Sequence, residues 1–158
     1  MSEKIINVVF AGLGGQGVLK ASDILAEVVF AAGHDVKKSE IHGMSQRGGS
    51  VSSDVRFGPK VLSPMTTAGE VDYLVVLSED QVEINRGQLA KDGVLIAPDA
   101  VDESQLLNKR SMNVALLGAL SRHLNIDETL WMKAIFNNLS EKLHEANKQA
   151  FELGRQSV

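Results

Sequence analysis

Two glycine-rich stretches hold the residue types on which chemistry could be built. The first, Gly12-Leu13-Gly14-Gly15-Gln16-Gly17, has the spacing G-x-G-x-x-G and stands between an apolar run and a helical pattern. At such a junction the free amides of the first helical turn point outward, and the helix dipole favours an anion. Gly12, Gly14, Gly15 and Gly17 allow close backbone approach, and Gln16 sets a side-chain amide beside those donors. The second stretch is His42-Gly43-Met44-Ser45-Gln46-Arg47-Gly48-Gly49-Ser50. Arg47 offers a planar five-donor fork for a phosphate or carboxylate, and Gly48 and Gly49 leave room beside it. His42 can bond a ligand or carry a proton, Gln46 can orient one, and Met44 can fill an apolar pocket.

Each stretch also has a plainer reading. The first fits a nicotinamide or flavin dinucleotide, with Glu40 about twenty residues on as the ribose-binding acid. It fits equally a loop whose glycines serve only tight turning and helix–strand packing. An Arg-Gly-Gly by itself is compatible with a surface turn whose arginine bridges to a carboxylate.

The elements that must position these loops follow from periodicity. Residues 5–11 form a continuous apolar run that suits a strand buried on both faces. Val18, Ala21, Leu25, Val28 and Ala32 recur at steps of three and four, predicting a helix of about four turns that ends at Gly33. Further strands are predicted over 35–41, 50–58, 72–78 and 93–98, with Ser78 and Gln81 forming a capping box for a helix after the fourth. Beyond residue 110 the pattern becomes helical. One face is Met112, Ala115, Leu116, Ala119 and Leu120. Asp127 caps a second helix with Ile126 and Trp131 as a staple, and Leu143, Ala146, Ala150 and Leu153 form a third face after Ser140. Alternating strands and helices predict one α/β domain over 1–158, a three-layer Rossmann-like sandwich with a helical C-terminal region. The sheet is mainly parallel. The nine-residue link between the second and third strands allows that pair to be antiparallel, which would make it mixed.

Composition narrows the chemistry. The chain of 158 residues has a formal charge of −4 and no basic stripe, which argues against a nucleic-acid surface. It has no cysteine, so it can form no disulfide, thiolate nucleophile or cysteine-ligated cluster. His34, His42, His123 and His144 lie far apart, so no metal site is expected. No apolar run reaches bilayer length, and the charged start does not read as a signal peptide; a cytoplasmic protein is expected.

The paired stretches "NVVFAGLGGQGVLKASDIL" and "SEIHGMSQRGGSVSSDVRFG" closely resemble the small, gamma-type subunit (domain III) of 2-oxoacid:ferredoxin oxidoreductases. The wording "HGMSQRGGS" resembles the indolepyruvate branch, and the likeness continues more weakly through "DYLVV", "GVLIAP" and "NVALLGAL". The resemblance implies coenzyme A-dependent oxidative decarboxylation of a 2-oxo acid, an aryl pyruvate in preference to pyruvate. It also implies thiamine diphosphate, magnesium and iron–sulfur clusters held by a large partner subunit, with ferredoxin as acceptor. The chain has no Gly-Asp-Gly segment of the type that holds magnesium and thiamine diphosphate, and Asn137-Asn138 reads as helix-end polar residues. On this reading Arg47, His42, Gln46, Gly48 and Gly49 face a substrate or coenzyme anion, with Gly12, Gly14, Gly15, Gln16 and Gly17 as a second wall; none is a certain catalyst. A self-contained NAD(P)- or flavin-dependent oxidoreductase and a non-enzymatic docking module are the rival expectations.

Overall fold

The structure is a computed structural model that describes residues 4–42 and 49–158, with His42 described by its backbone alone. Five strands, β1 (Ile6–Leu13), β2 (Asp35–His42), β3 (Ser50–Gly58), β4 (Val71–Val76) and β5 (Leu89–Ile96), form one sheet in the order β2-β3-β1-β4-β5. β4 runs parallel to β1, and β5 to β4, while β3 is antiparallel to both β1 and β2. The sheet is therefore mixed, with a single reversed strand inserted between β1 and β2.

Burial follows the strand period. Val8 and Phe10 of β1 enter the large core, whereas Val9 and Ala11 enter a smaller one on the opposite face. The larger core lies beneath α1 (Val18–Ala31), α3 (Met112–Ser121), α4 (Glu128–Asn138) and α5 (His144–Gln156). The opposite layer is thin. It consists of the irregular connection 59–70 and the single turn α2 (Val82–Asn85), flanked by 3-10 turns.

Several local expectations are met. The amides of Gly33 and His34 bond the carbonyls of Phe30 and Val29, a Schellman closure of α1 with Gly33 at φ 97°. The Asp127 carboxylate accepts from the Thr129 amide at 2.9 Å and caps α4. Asn137 and Asn138 both donate to Glu27, tying the end of α4 to α1. Other expectations are corrected. Ser78 donates to Asp80 at 2.6 Å and caps nothing, while Gln81 turns away to accept from Ser50, so no capping box forms. β4 ends at Val76, and β5 begins at Leu89 because Val71 pairs with Leu89 before the register shifts. α5 buries Ala150 of the expected face together with Asn147, Phe151 and Gly154, while Ala146 and Leu153 are half-buried and Leu143 lies in the 3-10 turn before the helix. A Cβ on Gly154 would stand 1.8 Å from the Ala115 carbonyl oxygen, and one on Gly118 2.1 Å from that of Phe151, so the α3–α5 crossing requires glycine at both points.

Candidate active-site edge

The carboxyl ends of β1 and β2 lie at the same edge as the start of β3. Leu13 pairs with Ser50, His42 pairs with Val51, and the Gly14 amide donates to the Gly49 carbonyl at 2.9 Å. The two glycine-rich stretches thus meet where the sequence places them, at the carboxyl edge of the sheet. Gly43, Met44, Ser45, Gln46, Arg47 and Gly48 lie outside the described residues.

The first loop is held shape by shape. Gln16 Oε1 accepts from the Leu13 amide at 2.7 Å, so the carbonyl end of this side chain closes the loop on itself. Gly12 needs its missing side chain: a Cβ there would lie 2.8 Å from Gln16 Oε1 and 3.2 Å from the Leu77 Cβ. Gly15 and Gly17 take φ 89° and 82°, the left-handed region that favours glycine. At Gly17 a further constraint comes from Asn113, which the sequence did not single out. The buried Asn113 donates from Nδ2 to the Gly17 carbonyl at 3.2 Å and accepts from the Val114 amide at 2.9 Å. The first turn of α1 is thereby locked to the first turn of α3.

The connection after β1 departs toward β2 and that after β4 toward β5, so a crevice opens between them, as expected at the switch point of a doubly wound sheet. A cleft of about 410 Å³ occupies this place. Gly15 and Gln16 form one wall, Ser78 and Glu79 another, and Lys109 and Arg110 reach in from the turn before α3. Neither Lys109 nor Arg110 forms an ion pair among the described residues. Glu79 and Glu103 also line the cleft, giving acceptors beside the two cations. On the other flank of the glycine loop lies a second cavity of about 460 Å³, walled by Leu13, Val18, Leu19 and Val51. The glycine loop is therefore a ridge between a charged cleft and an apolar one. Lys109 and Arg110 lie in an irregular stretch with no periodic signal, which is why pattern reading passed over them.

The dinucleotide reading loses its second support. β3 separates β2 from β1, which puts Glu40 two strand spacings, about 10 Å, from the β1 ladder. Glu40 also pairs with Lys38, and Lys38 reaches Asp23 of α1 at 2.7 Å. Burial opposes the Lys38 charge, but the bonds and charges of Asp23 and Glu40 outweigh it and hold the ammonium above its ordinary value.

The fold and edge define an α/β domain with a cleft at the carboxyl edge of its sheet, and comparison with known proteins gives its family. The pyruvate ferredoxin/flavodoxin oxidoreductase family model matches residues 7–157, and the chain belongs to that family. It is 33% identical to the indolepyruvate oxidoreductase subunit IorB of Thermococcus kodakarensis, over 96% of this chain and 95% of the relative. Its fold matches the keto/oxoacid ferredoxin oxidoreductase gamma subunit of Geobacter sulfurreducens (TM-score 0.82, 21% identity, 98% and 96% of the two chains). It also matches a 2-oxoglutarate:ferredoxin oxidoreductase of Magnetococcus marinus with 2-oxoglutarate, coenzyme A and succinyl-CoA bound (TM-score 0.78, 20% identity), covering 99% of this chain and 31% of that one. The chain is accordingly a gamma-type subunit of a 2-oxoacid:ferredoxin oxidoreductase.

Proposed function

We propose that this subunit closes the active site of an aryl-pyruvate:ferredoxin oxidoreductase and receives the anionic part of its substrate or of coenzyme A. The observation that carries this reading is the direct bond between the two glycine-rich loops at the carboxyl edge, Gly14 amide to Gly49 carbonyl. That bond fixes the end of the Arg47 loop beside the free donors of the glycine loop. Backbone donors, Lys109 and Arg110 then offer charge-assisted bonds to phosphate or carboxylate oxygens, and Glu79 and Glu103 can accept from ligand hydroxyls; Arg47, outside the described residues, is assigned to the same anion by its side-chain chemistry. The likeness to IorB supports an aryl pyruvate as the oxo acid.

Thiamine diphosphate supplies the carbanion chemistry of oxidative decarboxylation, and iron–sulfur clusters take the electrons toward ferredoxin. The residues of this chain do not fit those groups. It has no cysteine, and among the described residues no three His, Asp or Glu side chains are grouped to hold a metal. They belong to the large partner. The work left to this chain is binding, orientation and exclusion of water. No helix among the described residues is long and apolar enough to cross a membrane.

The test is kinetic. In the assembled enzyme, Arg47→Ala should lower 2-oxo-acid- and coenzyme A-dependent viologen reduction at least tenfold while the complex stays intact. Unchanged kinetics in an intact complex would leave the loops as docking elements only.

A further inference from the structure

The sheet face opposite the long helices carries four large apolar side chains that are mostly in solvent: Ile41 on β2, Leu62 and Met65 on the 59–70 connection, and Ile84 on α2. Their exposures are 54, 81, 61 and 69%, on a face where a globular chain would normally cover them. The connection that bears Leu62 and Met65 is pinned to this face. Asp35 accepts from the Val61 amide, Asp54 from the Thr66 amide, and Arg56 donates to the Ser63 carbonyl.

Between Ile41 and Ile84 runs a narrow groove of about 110 Å³ with Ser50, Ser52, Gln81 and Asn85 in its walls. Several of its polar atoms are already paired within the chain, while Ser52 Oγ and Gln81 Nε2 have no partner among the described residues. Ser50 donates to Gln81 Oε1 at 2.9 Å, Asn85 to the Gln81 carbonyl at 2.8 Å, and Gln88 to Asn85 Oδ1 at 2.8 Å. A covering partner needs to bond only Ser52 Oγ and Gln81 Nε2, and no charged side chain lines the groove, the Glu83–Arg86 pair lying on the exposed side of α2. An uncharged groove floor flanked by exposed apolar knobs resembles the core of a protein–protein interface.

The groove is also continuous with the active-site edge. Ser50 and Val51, in its wall, follow directly on Gly49, whose carbonyl holds Gly14. A partner that closes the edge therefore runs on over this face. We propose that the surface formed by Ile41, Leu62, Met65 and Ile84 docks the large, thiamine- and cluster-bearing subunit; this rests on the reading of the edge as the closure of that subunit's active site.

The test isolates the tagged chain anaerobically with its partner, the partner being accepted only if the eluate contains thiamine diphosphate and iron. Ile84→Glu and, separately, Met65→Glu should weaken co-elution at least tenfold, with melting curves of the free subunits unchanged. Phe30→Glu, at an equally exposed apolar position on α1, should leave co-elution intact. Wild-type co-elution that survives both face variants would overturn the docking surface and leave the functional reading standing. A wild-type chain that recovers no thiamine- and iron-bearing partner would overturn both. A free wild-type chain that is a dimer, dispersed by the same two variants, would assign the face to a second copy and also overturn the proposal.

Discussion

The side-chain amide of Asn113 donates to the carbonyl oxygen of Gly17 across 3.2 Å, joining positions 96 residues apart at the two helix starts beside the carboxyl edge of the sheet. A side chain at Gly17 would be strained by its φ of 82° and would force Asn113 to shift, because a Cβ would fall 2.4 Å from Asn113 Nδ2. Loop conformation and helix placement are thus set by one donor and one missing methyl.

Asn113→Asp should therefore be more harmful than its size implies. The carboxylate has no donor for the Gly17 carbonyl and turns two acceptors toward each other. We expect a loss of about 1–3 kcal/mol, with Asn113→Ala toward the lower end. Urea unfolding of the free subunit at neutral pH measures it.

Gly15→Ala and Gly17→Ala separate backbone strain from crowding. Both positions have positive φ, but a Cβ at Gly15 meets nothing within 4 Å, whereas one at Gly17 meets Asn113. Gly15→Ala should cost about 1 kcal/mol and Gly17→Ala clearly more, read as the difference in urea midpoints. Equal costs would mean that Asn113 moves aside freely.

Asp54 carries a pH signature. Burial pushes its carboxyl above the ordinary value of 3.8, against the Thr66 amide and the Arg56 charge. A raised carboxyl value means that the folded chain holds this proton more tightly than the unfolded one. The associated stability is present below the ordinary value and is lost as pH rises through the raised value. Asp54→Asn should therefore gain on wild type as pH rises from about 4 to 7, and parallel urea midpoints across that range would contradict it.

Lys109 and Arg110 should act on binding and leave turnover alone. Replacing both with alanine in the assembled enzyme removes two cations from the cleft beside Gly15 and Gln16. The KM for coenzyme A should rise about tenfold with little change in kcat. An unchanged KM would direct the coenzyme elsewhere.

Much of this architecture is written locally. The reach of β3 over Ser50–Gly58, the Gly33 closure and the Asp127 cap depend on neighbours within a few positions. What escaped the sequence depends on distant partners. Nothing near Glu40 says that β3 will slide between it and the glycine loop. Gly118 and Gly154 look like weak helix positions until α3 and α5 cross. Gln16 looks like a ligand group, and nothing near it says that its carbonyl oxygen also closes its own loop. The site shows the same division. The glycine loop and the ends of the Arg47 loop were legible from spacing, whereas Asn113, Lys109 and Arg110 entered only when α3 docked beside α1.

This chain should act only as part of a larger 2-oxo-acid oxidoreductase. The most direct test is an anaerobic comparison of the free subunit with the assembled complex, using indolepyruvate or pyruvate, coenzyme A and viologen. Activity confined to the complex, dependent on coenzyme A and greater with indolepyruvate, is the predicted result. Tight binding of NAD(P) or a flavin by the free chain, with no activity gained on assembly, would contradict it.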